Sequence, residues 1–97
     1  MKYSVLQTPR LTSWLISVRD MRARVAIARR IERVTAGNLG DVKSVGGQVC
    51  EMRIDVGAGY RVYFTARDGV VIVLLAGGDK SSQSVDIQLA RKLAKEI

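Results

Sequence analysis

The stretch "YRVYFTARDGVVIVLLA", residues 60–76, decides the fold. Its first run alternates. Tyr60, Val62 and Phe64 point one way, and Arg61, Tyr63 and Thr65 point the other. Its second run, "VVIVLLA" (70–76), is apolar at every position, which predicts a central strand covered on both faces. Asp68-Gly69 between them is a strong two-residue hairpin signal. The heart of the chain is therefore an antiparallel β-ribbon.

The same period of two extends upstream. In "QVCEMRIDV" (48–56), Cys50, Met52, Ile54 and Val56 share one side, and Val49, Glu51, Arg53 and Asp55 the other. "GAG" (57–59) turns this strand into the next, and Gly46-Gly47 turns it back to "VKSV" (42–45). Farther upstream the period becomes helical. "KYSVLQ" (2–7) suits a short strand, after which Thr8 caps a helix and Pro9 occupies its first position. Leu11, Trp14, Leu15 and Val18 form one apolar face of that helix. Asp20 starts a second helix, "MRARVAIARRIERVTA" (21–36), which Gly37-Asn38 ends. On it Met21, Val25, Ala28 and Ile31 share one side with Ile27 and Val34 beside them. Arg22, Arg29 and Arg33 share another side, with Arg19 near. Downstream, "SVDIQLARKLAKEI" (84–97) is an amphipathic helix with Ile87, Ala90, Ala94 and Ile97 inward and Leu89 and Leu93 adjoining.

The predicted class is α+β, in the order β-α-α-β-β-β-α. It has a mostly antiparallel twisted sheet, a helical hairpin on one face and a C-terminal helix. One domain spans residues 1–97.

Composition narrows the chemistry. The chain carries 16 Lys and Arg against 9 Asp and Glu, a net charge of +7. Such a balance suits an anionic partner, either nucleic acid or an acidic protein. There is no histidine and one cysteine, Cys50. The usual general base and commonest metal ligand are missing, and an intramolecular disulfide is excluded. The expectation is no metal, no cofactor, no membrane span and a cytoplasmic location.

If the apolar strand rows pack on the helical hairpin, Glu51, Arg53, Arg61 and Tyr63 share an uncovered face, with Lys43 and Lys80 close by. Two readings stand: a cross-strand charge ladder that keeps the sheet soluble, and an anion site. "GGDKSSQ" (77–83) has the glycines, lysine and hydroxyls of a phosphate loop. It lacks the spacing of a Walker loop, since Lys80 follows Asp79 and not a glycine, and no parallel βαβ unit surrounds it. The narrower reading has Gly77-Gly78 end the strand, Ser81 or Ser82 cap the last helix, and Lys80 stand at its mouth as a phosphate contact.

Three segments together, "GDVKSVG", "RIDVGAGYRVYF" and "GGDKSSQ", resemble the RelE/ParE toxin superfamily, in its phage-derived Gp49-like, HigB-like branch. The resemblance implies a toxin of a type II toxin–antitoxin pair. It implies an endoribonuclease that cuts messenger RNA on the ribosome without a metal, using Arg and Lys to stabilise the phosphorane-like transition state. Carried onto this chain, Arg61 and Lys80 hold the scissile phosphate, and Arg53 is a second clamp or a proton-handling neighbour. Lys43 is an outer RNA contact, and Tyr63, Arg22, Arg29 and Arg33 are further RNA contacts. The family's C-terminal tyrosine is absent from "SSQSVDI", and Glu51 stands where that type has a lysine. Either Glu51 or Tyr63 then supplies the base, or orientation dominates. The partners implied are a HigA-like helix-turn-helix antitoxin, the ribosome and mRNA, with a homodimer open to the free toxin. The alternatives are a ParE-like gyrase poison and a remnant that only binds its antitoxin.

Overall fold

A computed structural model describes residues 2–97. Its strands are β1 (Ser4–Gln7), β2 (Val42–Ser44), β3 (Cys50–Ile54), β4 (Tyr60–Arg67) and β5 (Val71–Gly78). Its helices are α1 (Pro9–Ser17), α2 (Met21–Thr35) and α3 (Gln83–Glu96), the last preceded by a 3₁₀ turn, Lys80–Ser82. The α+β class holds. The strands after the helical pair number four, one more than the expected order counts, because the short 42–44 segment is a strand in its own right.

One sheet runs β1-β5-β4-β3-β2. β1 joins β5 in parallel, and every other pair is antiparallel. β5 is flanked on both sides, as its unbroken apolar run predicts. The β4–β5 hairpin forms where expected, with both Asp68 (φ 54) and Gly69 (φ 72) left-handed. Its loop is one residue longer than the two-residue reading, since Arg67 pairs with Val71. Near the other end the register slips. Tyr63 faces Ala76 while Phe64 faces Leu74, so Leu75 is an extra residue in a β-bulge.

Local capping chemistry sets the helix ends. Thr8 Oγ1 accepts from Leu11 N (3.1 Å), and Asp20 Oδ1 accepts from Arg22 N and Ala23 N (3.0 and 3.3 Å). Past the end of α2, Asn38 N donates to Arg33 O and Gly37 N to Val34 O, a Schellman closure that needs the left-handed Gly37 (φ 99).

α1 and α2 cover one face of the sheet. Leu11, Val18, Ala23, Ile27 and Val34 pack there on Met52, Ile54, Val62, Phe64, Ile72 and Leu74. The buried row of α2 is Ala23, Ile27 and Val34, whereas Met21, Val25 and Ala28 of the expected apolar side face outward. The other face is not open. α3 lies on it, and Val49, Tyr63, Leu75, Ala90 and Ala94 form a second, smaller core. The expectation that Glu51 and Tyr63 occupy an uncovered face is thereby corrected. Ala90 and Ala94 face inward as expected, while Ile97 is half exposed.

The glycine pair that closes β5 has a steric purpose on each face. A Cβ on Gly77 would lie 2.2 Å from the Trp14 ring, and one on Gly78 would lie 1.9 Å from Asp86 Oδ2. Gly77 thus seats α1 and Gly78 seats the start of α3.

Candidate functional site

The sheet register brings the charged residues together. Arg53 on β3 is directly opposite Arg61 on β4, and Arg61 is opposite Gly78 on β5. One step along, Lys43, Glu51, Tyr63 and Ala76 form the next row across four strands. Both rows lie on the α3 side. At the sheet end, the point where a Cβ of Gly59 would stand is 3.6 Å from Arg61 Nη1 and 3.6 Å from Lys80 Cβ. Lys80 N also reaches Ala58 O (3.5 Å). The 57–59 turn, β4 and the 3₁₀ turn therefore meet at one spot. Arg61 and Lys80 flank it, and Arg53 stands across from Arg61.

Arg61 is the most constrained of these cations. Its side chain is 12% exposed, and its Nη1 donates to Gly59 O (2.8 Å). Nε stands 3.6 Å from Glu51 Oε2. Among the described residues, nothing accepts a hydrogen bond from that buried nitrogen. Glu51 is 1% exposed. Its Oε2 also accepts from Tyr63 Oη (3.2 Å) and from Gln83 Nε2 (2.8 Å) on the first turn of α3. The pair is therefore embedded in a polar network, as a buried charge requires. Burial, and next the neighbouring Glu51 carboxylate, push the Tyr63 phenol well above its usual range. Tyr63 is fully buried, and its hydroxyl donates to Glu51.

Arg53 is more open and pairs with Asp41 Oδ1 (Nη2 at 3.1 Å). Asp41, Arg53, Asp55, Gly59, Tyr60 and Arg61 line a shallow hollow of about 290 Å³. Two arginines against two aspartates make this a set of placed donors, not a well of uncompensated charge. Lys80 is exposed on the 3₁₀ turn. That turn is capped by Asp79, whose Oδ1 accepts from Ser81 N (2.8 Å) and from Ser81 Oγ. These bonds, the Ser81 hydroxyl first, hold the Asp79 carboxyl below its ordinary range. Asp79 caps the 3₁₀ turn, while Ser82 stands at the N-cap position of α3 as expected but makes no side-chain cap bond there; its Oγ donates to Asp86 Oδ2 (2.5 Å). Lys43 is exposed on β2. Arg22, Arg29 and Arg33 are exposed on α2, and of these Arg29 and Arg33 line a second hollow with Ile54 and Asp55, next to the first. Arg22 lines neither hollow.

Sequence reasoning missed two residues that organise this region. Gln83 ties α3 to Glu51. Arg30 is a clamp. Its Nη1 donates to Arg53 O (2.5 Å), and its Nη2 donates to Leu39 O and Asp41 O (3.1 and 3.3 Å). Burial lowers its pKa, Arg33 adds to that, and Asp41 opposes it. The left-handed Gly40 (φ 68) leaves the room, since a Cβ there would stand 2.9 Å from Arg30 Nη2. Arg30 thereby fixes the loop that presents Asp41 to Arg53. The only signal in the sequence was an arginine on the side of α2 that also carries Ala23 and Val34. Arg30→Gln is expected to speed amide hydrogen exchange across residues 38–41 and to weaken binding of a short RNA about three- to tenfold, the worth of roughly one hydrogen bond lost at the site. Exchange mass spectrometry and fluorescence anisotropy check both.

The architecture and its cationic sheet end define a RelE-fold protein. Over 100% of the chain and 99% of the other, it superposes on the free state of a double arginine-to-alanine mutant of the E. coli toxin RelE, with TM-score 0.73 at 16% identity. Residues 16–95 match the family described as phage derived protein Gp49-like, and the chain belongs to that family. It is similar to an uncharacterized protein of Haemophilus influenzae, with 45% identity over 97 residues that span 100% of this chain and 98% of the relative.

Proposed function

We propose that this protein is the toxin of a type II toxin–antitoxin pair and acts as a metal-independent endoribonuclease on ribosome-bound mRNA. The observation that carries the reading is the approach of the Arg61 guanidinium and the Lys80 stem to Gly59, with Arg53 directly across from Arg61 in the sheet. The membership in the Gp49-like family and the RelE fold support it.

In this reading the ribose 2′-oxygen attacks the adjacent phosphorus. Its proton is lost, the P–O5′ bond breaks, and the 5′-oxygen takes up a proton. The products are a cyclic phosphate and a free 5′-hydroxyl. Arg61 and Lys80 donate to the non-bridging oxygens, whose charge grows in the transition state. Arg53 holds a neighbouring phosphate, and Lys43, Arg29, Arg33 and Arg22 extend the backbone contacts in a salt-sensitive way. Glu51 is too buried to reach a 2′-hydroxyl, so its role is to orient Arg61. Tyr63 holds Glu51 in turn. Rate enhancement comes from positioning and charge stabilisation rather than from a strong base. The partner is a HigA-like helix-turn-helix antitoxin.

The test is cleavage of a defined message with and without ribosomes, followed by primer extension. The protein is expected to cut only ribosome-bound message, and the Arg61→Ala, Lys80→Ala pair is expected to leave it intact. Growth arrest by that pair, or an SOS response with intact messages, would replace the ribonuclease by a gyrase poison acting through protein contacts.

A further inference from the structure

β1 stops short of the end of its neighbour. Its last pair is Gln7 with Leu74, whereas β5 runs on to Gly78. Thr8 Oγ1 donates to Leu75 O (2.6 Å), and the chain turns away there into α1. Past that point β5 has β4 on one side and, among the described residues, no strand on the other. A cleft of about 610 Å³ opens along this bare edge, between α1 and α3. Arg10, Ser13 and Trp14 line it from α1, Gly77 from β5, and Asp86 and Leu89 from α3. It adjoins the hollow at Arg53 and Arg61. The Trp14 and Tyr60 rings stand 6.4 Å apart, Trp14 in the wall of the cleft and Tyr60 in the wall of the hollow. Gly77 is next in the chain to Gly78, which pairs with Arg61 one strand spacing away, about 4.8 Å. The cleft therefore lies within reach of a nucleotide whose phosphate is held at Arg61.

We propose that this cleft takes a nucleobase of the bound RNA and favours guanine. The proposal rests on the ribonuclease reading for the chain that enters, and adds to it a subsite that reads a base. Trp14, half-buried, offers an indole on which any base can stack. Asp86 supplies the choice. Its Oδ2 accepts from Ser82 Oγ (2.5 Å), and among the described residues neither Asp86 nor Arg10 makes an ion pair. The dipole of α3 favours an acid in its first turn, yet that does not account for an unpaired carboxylate beside an indole in an open cleft of a chain with net charge +7. A carboxylate repels phosphate, so a polynucleotide lying here turns a base toward Asp86, not its backbone. Carboxylates accept from base N–H groups. Guanine presents two adjacent N–H groups to one carboxylate. Adenine and cytosine present one amino group each, and uracil a lone N–H between two carbonyl oxygens that the carboxylate repels. Arg10, exposed at the rim, is placed for that nucleotide's own phosphate.

The chain's one tryptophan lines the cleft, so its fluorescence reads occupancy directly. The probes are the guanosine, adenosine, cytidine and uridine monophosphates, with inorganic phosphate as control and excitation beyond the nucleotide absorption. Guanosine monophosphate is expected to quench saturably and to bind about tenfold more tightly than the uridine form, the worth of one bidentate contact. Inorganic phosphate is expected to leave the signal unchanged. Asp86→Asn keeps an oxygen for Ser82 and is expected to erase the preference. Ser13→Phe, at an exposed position, fills the cleft from α1 and is expected to abolish quenching by every nucleotide. Melting curves show that both variants fold. On ribosome-bound message, primer extension is expected to place the cuts of the unaltered protein beside guanines and those of Asp86→Asn without regard to base. Equal quenching by uridine monophosphate, or a preference that Asp86→Asn leaves in place, overturns the proposal. Quenching by free arginine but by no nucleotide also overturns it, and would make a cationic side chain of a protein the occupant. The ribonuclease reading fails separately. Selective quenching with uncut message would keep the base site and remove cleavage, and base-indifferent cutting without quenching would do the reverse.

Discussion

Arg61→Ala is expected to slow RNA cleavage about 10²–10³-fold, the usual cost of removing one preorganised donor from a developing oxyanion. This guanidinium has little freedom. Gly59 O, Glu51 and its buried position fix it before any substrate arrives. Arg53 is expected to matter less for the rate. It is open to solvent and paired with Asp41, so part of its charge is already satisfied. Arg61→Lys should recover only part of the activity, because an ammonium cannot meet Gly59 O, Glu51 and a phosphate with one planar fork. Single-turnover cleavage on saturated ribosomes separates rate from binding. A melting curve of each variant shows whether it folds. A folded Arg61→Ala protein with normal turnover would remove Arg61 from the site.

Glu51→Ala is expected to cost about 3–5 kcal/mol of stability, the range for breaking a buried charge pair from one side. Two donors, Tyr63 Oη and Gln83 Nε2, lose their acceptor at once, and the Arg61 guanidinium loses its buried counter-charge. Glu51→Gln should cost less, since one amide oxygen can still accept from Tyr63 or Gln83 while the charge opposite Arg61 is gone. Chemical denaturation of the two variants gives the ordering. Equal and small losses would show that the network contributes no more than an apolar filling. The same two proteins report on mechanism. If Glu51 orients Arg61, Glu51→Gln lowers the rate without removing a titration step from the pH–rate profile. A base would remove that step.

Short-range chemistry made much of the fold legible. Thr8-Pro9, Asp20, Gly37-Asn38 and Asp68-Gly69 each act within a few residues, and each lies at an element end in the structure. Strand alternation correctly placed Glu51, Arg53, Arg61 and Tyr63 on one face. What lies over that face was not legible. α3 is amphipathic in any arrangement, and only its packing on Val49, Tyr63 and Leu75 turns a charged row into a partly buried network. α2 has two apolar rows of similar strength, and periodicity alone does not say which meets the sheet. The glycines at 77 and 78 looked like phosphate-loop chemistry because their real partners, Trp14 and Asp86, are brought to them by tertiary packing. Arg30 was hidden for the same reason. Its three acceptors are backbone carbonyls, which no side-chain pattern reveals.

The pairing of β1 with β5 has a consequence for biosynthesis. Ser4–Gln7 pairs with residues 71–74, so the opening strand waits, unmatched, while most of the polypeptide is translated. Contacts this distant along the chain are made last and slow the acquisition of structure. A message interrupted ahead of that segment yields fragments without a central strand. Any activity seated on this sheet would switch on only once synthesis is nearly finished.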